Sequence, residues 1–243
     1  MGEAFFWGAV GSSALVIGAV LAATLPIDRR MLGIIMAFGA GVLISAVAYD
    51  LVEEAFDTSA GAGGIGWGFA TGAVVFFAGD ALIDRMGGNR RKSSGGEQAD
   101  GSGLAIVLGA VLDGIPESIV LGIGLLAGTG VSVAFIAAVC ISNLPEGLAA
   151  TTGLLAAGWS RRDALLLWSG VALVSALAAL VGYAAFDEAA PRTVAFVLAF
   201  AGGAILTMLA DTMMPEAFRE EGRLVGLFTA AGFAFAFLLH TID

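Results

Sequence analysis

The chain has 243 residues, 58% of them hydrophobic and 13% charged, with 36 glycines and a mean hydropathy of +0.94. These values exclude an ordinary soluble globular domain and indicate an all-α, polytopic membrane protein. The net charge of −10 comes in part from acids inside apolar runs and from short loops such as Asp187-Glu188, so it describes no nucleic-acid partner; the single cysteine, Cys140, excludes an intrachain disulfide.

Windows of about 20 apolar residues, enough for a helix to cross about 30 Å of hydrocarbon, occur eight times. The first, 5–25, has no basic flank ahead of it and reads as a retained span rather than a cleaved signal. Span 2 (31–52) closes on a run of acids, Asp50, Glu53, Glu54 and Asp57. Span 3 (65–83) is followed by RMGGNRRKSSGGEQADGSG at 85–103, which reads as a flexible cytoplasmic tether within an otherwise single transmembrane domain, 1–243. It contains no His for metal buffering, and its four cations suit anionic lipid. Span 4 (104–126) holds Asp113 and Glu117, and span 5 (131–157) holds Ser142, Asn143 and Glu146. Span 6 is 164–186. Span 7 (194–214) carries Asp211, with Glu216 just beyond it. Span 8 (224–239) is short, and His240 at its end reads as interfacial. The tryptophans Trp7, Trp67, Trp159 and Trp168 fall near span ends, as in an aromatic belt.

Every Lys and Arg except Arg192 lies in the connections 1–2, 3–4, 5–6 or 7–8. The positive-inside rule therefore places those connections in the cytoplasm and both termini outside. The same alternation supports an even span count, since a missed span would scramble every later loop.

Internal repetition is visible in two places. FGAGVLISAVAYDLVEEAF at 38–56 aligns with FAGGAILTMLADTMMPEAF at 200–218, matching Phe38 to Phe200, Gly41 to Gly203 and the closing Glu-Ala-Phe. DGIPES at 113–118 aligns with SNLPEG at 142–147, matching Pro116 to Pro145 and Glu117 to Glu146. Within eight alternating spans these partners run in opposite directions. The expected architecture is therefore inverted repeats, spans 1–3 with 6–8 and span 4 with span 5, as in alternating-access transporters.

The Pro-Glu pairs carry the chemistry. Proline inside a span has no N–H and crowds the carbonyl one turn back, so Pro116 and Pro145 are expected to free the carbonyls of Leu112 and Ile141. Asp113 and Glu117 are four residues apart, as are Ser142 and Glu146, so each pair shares one helix face. Facing each other, they offer three carboxylates and a hydroxyl, with an amide from Asn143: a hard-oxygen set suited to a divalent cation. An acid at membrane depth costs at least about 2.5 kcal/mol, so it is retained where it faces a cavity, a proton or a cation. The apolar spans supply no Lys, Arg or His of their own to neutralise these acids.

DGIPES and SNLPEG on adjacent spans, DLVEEA ending span 2, MMPEA ending span 7 and a loop after span 3 together resemble the ZIP (ZRT/IRT-like) family of metal transporters. The resemblance implies a metal site between spans 4 and 5, transport of a divalent cation toward the cytoplasm, and a possible homodimer; it implies no enzyme, and a compact chain without targeting extensions fits a plasma-membrane location. The family's span-4 and span-5 histidines stand here as Asp113 and Ser142, its span-4 Asn as Gly114, and the span-6 Glu of many members as Leu173. The resemblance thus implies one metal, held by Asp113, Glu117, Glu146 and Asn143 with Ser142 direct or through water. Asp50 and Glu54 would line the outer mouth, and Asp211 and Glu216 the inner one. Zinc, iron, manganese and cadmium are all candidate substrates; replacing imidazole by carboxylate favours harder ions than zinc.

Two rival readings remain at the level of sequence. The fold could bind or sense metal without moving it. Alternatively, Tyr49-Asp50 with Gly79-Asp80 could form an intramembrane aspartyl protease dyad, although residue 77 is Phe where that motif has Gly.

Overall fold

A computed structural model describes residues 1–59, 64–88, 91–96, 103–127 and 132–242. Residues 89, 90 and 97–102 of the expected tether, and Val131 at the expected start of span 5, lie outside the described residues. Among those described, the regular elements are all helical and form eight rods: α1 (Gly2–Thr24), α2 (Arg29–Thr58), α3 (Ile65–Gly88), α4 (Gly103–Gly124), α5 (Val133–Ala156), α6 (Arg161–Phe186), α7 (Pro191–Glu220) and α8 (Val225–His240). The first seven are long and apolar enough to cross a membrane. At 1.5 Å per residue, α8 is about 24 Å long, short of a full crossing, as its sequence window indicates.

Local chemistry sets the ends. The side chains of Asp28, Ser132 and Ser160 accept bonds from the first-turn N–H groups of Arg30, Phe135 and Asp163, starting α2, α5 and α6. Pro191 opens α7, where a missing N–H costs nothing. Helix α5 ends because Gly158 turns to φ 90°, which lets the Trp159 N–H donate to the Leu154 carbonyl at 2.9 Å. Helices α4 and α5 run on through Pro116 and Pro145.

Two rods widen to π-helical turns, α2 over Val47–Glu53 and α7 over Leu209–Met213. In α7, Pro215 follows directly and removes the N–H that would have closed the α-turn. Nothing in the local sequence of α2 does the same. The register that lays Phe38 on Phe200 also lays Val47 on Leu209, so both widened turns begin at equivalent positions.

Packing divides the rods into two groups. Helix α1 lies against α5 and α6, and α4 lies against α6; in the second group α2 pairs with α8 and α3 with α7. Glycines allow these pairs to approach until backbone touches backbone. A Cβ on Gly41 would overlap the carbonyl of Thr229, and one on Gly232 that of Phe38, so α2 and α8 interlock reciprocally; Gly72 and Gly203 do the same for α3 and α7. In the first group Gly18 and Gly147 lock α1 to α5, and Gly122 and Gly182 lock α4 to α6. Where lipid cannot drive helices together, such small-residue contacts hold them by dispersion. The groups meet where α2 touches α5 and where α4 touches α7 and α3, whereas α4 and α5 have few direct contacts with each other.

Gly41→Leu and Gly203→Leu should each lower the thermal midpoint in detergent, with an overpacking cost of at least about 1–3 kcal/mol. Gly170, which faces open space, should accept Leu with no measurable change in the same melt.

Candidate cation site

The five residues that the sequence singles out on spans 4 and 5 are all buried: Asp113 at 2% exposure, Glu117 at 3%, Ser142 at 2%, and Asn143 and Glu146 at 6%. Asp113 and Glu117 stack one turn apart on α4, and Glu146 sits on α5. The Ser142 hydroxyl donates to the Val139 carbonyl of its own helix at 3.0 Å, and the Asn143 amide donates to the Gly11 carbonyl of α1 at 3.1 Å. The Ile141 carbonyl, one turn before Pro145, faces Gly39 of α2, whose Cβ would lie 3.2 Å from it.

Positive charge does reach these acids. It comes from the segment that reads as a tether. Arg91, Lys92, Ser93 and Ser94 are all buried, at 1–4% exposure. Arg91 forks onto Asp113, Nη2 to Oδ1 at 2.9 Å and Nε to Oδ2 at 3.2 Å, while its Nη1 stands 2.6 Å from Asp80 Oδ1 on α3. The Lys92 ammonium lies between the two spans, 3.2 Å from Asp113 Oδ2 and 3.0 Å from Glu146 Oε2. Further along, the Ser94 N–H donates to Glu216 at 3.3 Å and its hydroxyl to Glu220 at 2.5 Å, both on α7. Gly109 of α4 leaves the space that the Arg91 stem fills; a Cβ there would overlap the Arg91 Cδ.

Burial alone would drive the proton off Lys92, but the carboxylates of Asp113 and Glu146 more than reverse this and raise its pKa. Arg91 is likewise opposed by burial and held above its ordinary value by Asp113 and Asp80. The Lys92 ammonium and Asp80 Oδ1 both sit at ion-pair distance from their partners, Glu146 and Arg91. The seat between Asp113 and Glu146 thus holds its cation by charge. Glu117 forms no ion pair among the described residues, and its electrostatic neighbours are Glu146, Lys92 and Asp113. In this arrangement, among the described residues, no three Asp, Glu, His or Cys side chains converge closely enough to hold a metal; Lys92 stands where Asp113 and Glu146 would meet.

A cavity lies at each end. One end carries most of the basic connections: Arg30, in the first turn of α2, pairs with Glu221 after α7 at 3.3 Å. There Asp80, Asp84, Asp211 and Glu216 line a space of about 130 Å³ together with Arg91 and Arg219. Arg219 and Glu216 are 2.6 Å apart. At the opposite, acidic end a cavity of about 780 Å³ is lined by Asp50, Glu54, Asp187 and His240, with Val120 and Leu121 of α4 in its wall. His240 Nδ1 is 3.4 Å from Asp50 Oδ1, the Ser132 hydroxyl donates to that oxygen at 3.2 Å, and the Thr58 hydroxyl donates to Glu54 at 3.1 Å. The expected mouths, Asp50 with Glu54 and Asp211 with Glu216, thus line opposite cavities. Asp50 and Asp80 are likewise in different cavities, so they do not share a proton as a protease dyad must.

Sequence reasoning missed Arg91, Lys92 and Ser94, and it considered Asp80 only as half of the protease pair. One signal was available: buried acids demand counter-charge, and RRKSS is the cationic run nearest to span 4 in the chain.

No protein-family model matches this chain. Over 216 residues, 86% of its length, the chain is 27% identical to an Arabidopsis thaliana protein named "Putative zinc transporter"; it spans 33% of that relative's length.

Asp113→Asn should lower the thermal midpoint sharply, because it leaves Arg91 with Asp80 and Lys92 with Glu146 but breaks their buried ion pairs to Asp113, and breaking buried ion pairs costs about 3–5 kcal/mol. Ser142→Ala, which removes only a bond to its own helix, should leave the melt almost unchanged.

Proposed function

We propose that this protein moves a divalent metal ion across the membrane by alternating access, through a carboxylate site between α4 and α5, and that it is a divergent relative of the ZIP transporters. The observation that carries this reading is that Asp113 and Glu146, on two neighbouring apolar helices, share one cation, the Lys92 ammonium, deep in the helix bundle. A pair of acids that seats an ammonium offers a divalent ion the same charge with more oxygen ligands. Glu117, Asn143 and Ser142 stand within the same two helices to supply them.

The remaining features fit this reading. Helices α4 and α5 touch little, so the space between them is spanned by charge rather than filled by packing. The π turns at Val47 and Leu209, and the interlocking Gly41 and Gly203, occupy equivalent positions of α2 and α7, as inverted repeats require. The two helix groups give the rigid bodies that would rock about the site. Asp50 and Glu54 would gather cations at the acidic mouth, and Asp211 with Glu216 would receive them at the basic, cytoplasmic end. The zinc transporter name of the Arabidopsis relative agrees with a metal substrate. The all-oxygen ligand set favours Mn²⁺, Fe²⁺ or Cd²⁺ at least as strongly as Zn²⁺.

Uptake of Zn²⁺, Mn²⁺, Fe²⁺, Cd²⁺ and Mg²⁺ into proteoliposomes tests this directly. Saturable flux is expected, falling by about 100-fold or more in Glu146→Ala, because a transport ligand is lost in a site where each coordinating carboxylate matters strongly. Metal binding without flux in the wild type would replace the transporter by a membrane metal sensor.

A further inference from the structure

We propose that residues 91–94 are a tethered surrogate cation that occupies the metal site and latches the two helix groups together, so that metal entry and release of this segment are mutually exclusive. The inference rests on the transport reading above and names the regulation of that same site.

Three observations carry it. The first is competition for the same oxygens. Lys92 Nζ contacts Asp113 Oδ2 and Glu146 Oε2, and Arg91 takes both oxygens of Asp113. No metal can use those carboxylates until the two side chains leave, and like charge forbids a shared stay.

The second is the span of the contacts. Lys92 joins α4 to α5 within one helix group. Arg91 joins Asp113 of that group to Asp80 of the other, and Ser94 anchors the segment to Glu216 and Glu220, again in the other group. Rocking one group against the other would have to pull the Arg91 fork from Asp113 or its Nη1 from Asp80. While the segment is seated, both the site and the motion are blocked.

The third is that the seat is built for the segment yet leaves a neighbouring carboxylate, Glu117, outside its ion pairs. Gly109 removes a Cβ that would collide with the Arg91 stem, and the Lys92 ammonium pairs with Asp113 and Glu146 while Glu117 forms no ion pair among the described residues. A divalent ion carries twice the charge of an ammonium and can draw Glu117 into its shell, which Lys92 does not do here. Displacement is therefore a matter of metal concentration, and the segment's local concentration sets the threshold. The apparent affinity for metal is weakened by the fraction of molecules in which the segment is seated.

The test uses the full-length protein in detergent, with Zn²⁺ and Mn²⁺ alone as probes. Equilibrium dialysis would compare the wild type, the double variant Arg91→Met/Lys92→Met, Gly109→Leu and Glu146→Ala, and trypsin cleavage after Arg91 and Lys92 would be timed with and without metal. Gly109→Leu keeps every charge and unseats the segment by bulk alone, so it covers the case in which the double variant folds poorly. The expected result is metal binding about tenfold tighter or more in the double variant and in Gly109→Leu, with binding lost in Glu146→Ala. Wild-type cleavage after Arg91 and Lys92 should be slow without metal and at least about tenfold faster at saturation. If the wild type, the double variant and Gly109→Leu bind metal equally while Glu146→Ala does not, or if saturating metal leaves wild-type cleavage unchanged, the segment is no competitor and the inference falls with the transport site intact. If no form binds either ion, the transport reading itself is overturned.

Discussion

The need to balance negative charge inside an apolar bundle governs this structure. Asp113, Glu117 and Glu146 sit between largely apolar helices that carry no cation of their own, and a buried carboxylate without a counter-charge costs several kcal/mol. The protein resolves most of that cost with two cations from a single connection. Asp113 is the node: it receives the Arg91 fork and the Lys92 ammonium, and through them it is linked to Asp80 on α3 and Glu146 on α5. Much of the rest of the fold can be understood as the frame that brings these groups to one depth.

That frame is built from backbone contact. Reciprocal glycines hold α1 to α5, α4 to α6, α2 to α8 and α3 to α7 at distances that a single added Cβ would disturb. Between the paired rods the fit is tight; between α4 and α5, within one group, it is open, and the opening is where the charges gather. Close glycine packing of the pairs and polar contact across this opening is a division of labour that keeps the pairs rigid and leaves the seam between α4 and α5 polar. The widened turns of α2 and α7 lie near the ends of the two rods that border that seam, and their acids, Asp50 and Asp211, line the opposite cavities.

The spans were legible because a bilayer imposes a length and an apolar composition that few other environments select; their starts were not, since helices α6 and α7 begin at Arg161 and Pro191, three residues before the apolar windows. The acids of spans 4 and 5 were legible for the converse reason: a carboxylate in such a run demands an explanation. Their partners were not. Arg91 and Lys92 sit in a stretch rich in Gly, Ser and charge, and local composition there describes solvated chain; burial of that stretch depends on a tertiary fact, the gap between α4 and α5, that no local pattern encodes. Gly109 makes room for Arg91, yet in sequence it is one of 36 glycines and carries no mark that separates it from those that pack helices. His240 was read as interfacial; its contact with Asp50 joins the ends of two helices far apart in the chain.

The charges also form an order along α4. At the basic end Asp113 is saturated by Arg91 and Lys92. One turn toward the acidic end, Glu117 is buried and forms no ion pair among the described residues, and one turn beyond it Val120 and Leu121 wall the large cavity that holds Asp50 and His240. A cation entering from that cavity would meet Glu117 before any oxygen that Lys92 holds. It would gain a carboxylate that forms no ion pair among the described residues and raise positive charge beside an ammonium already in place. Repulsion between the two falls with distance more slowly than coordination does, so the arriving ion weakens the seat of Lys92 before it takes its ligands. Under the proposed mechanism, entry from the acidic end and withdrawal of the segment toward the basic end would be steps in one direction, set by Glu117 lying outside the ion pairs among the described residues.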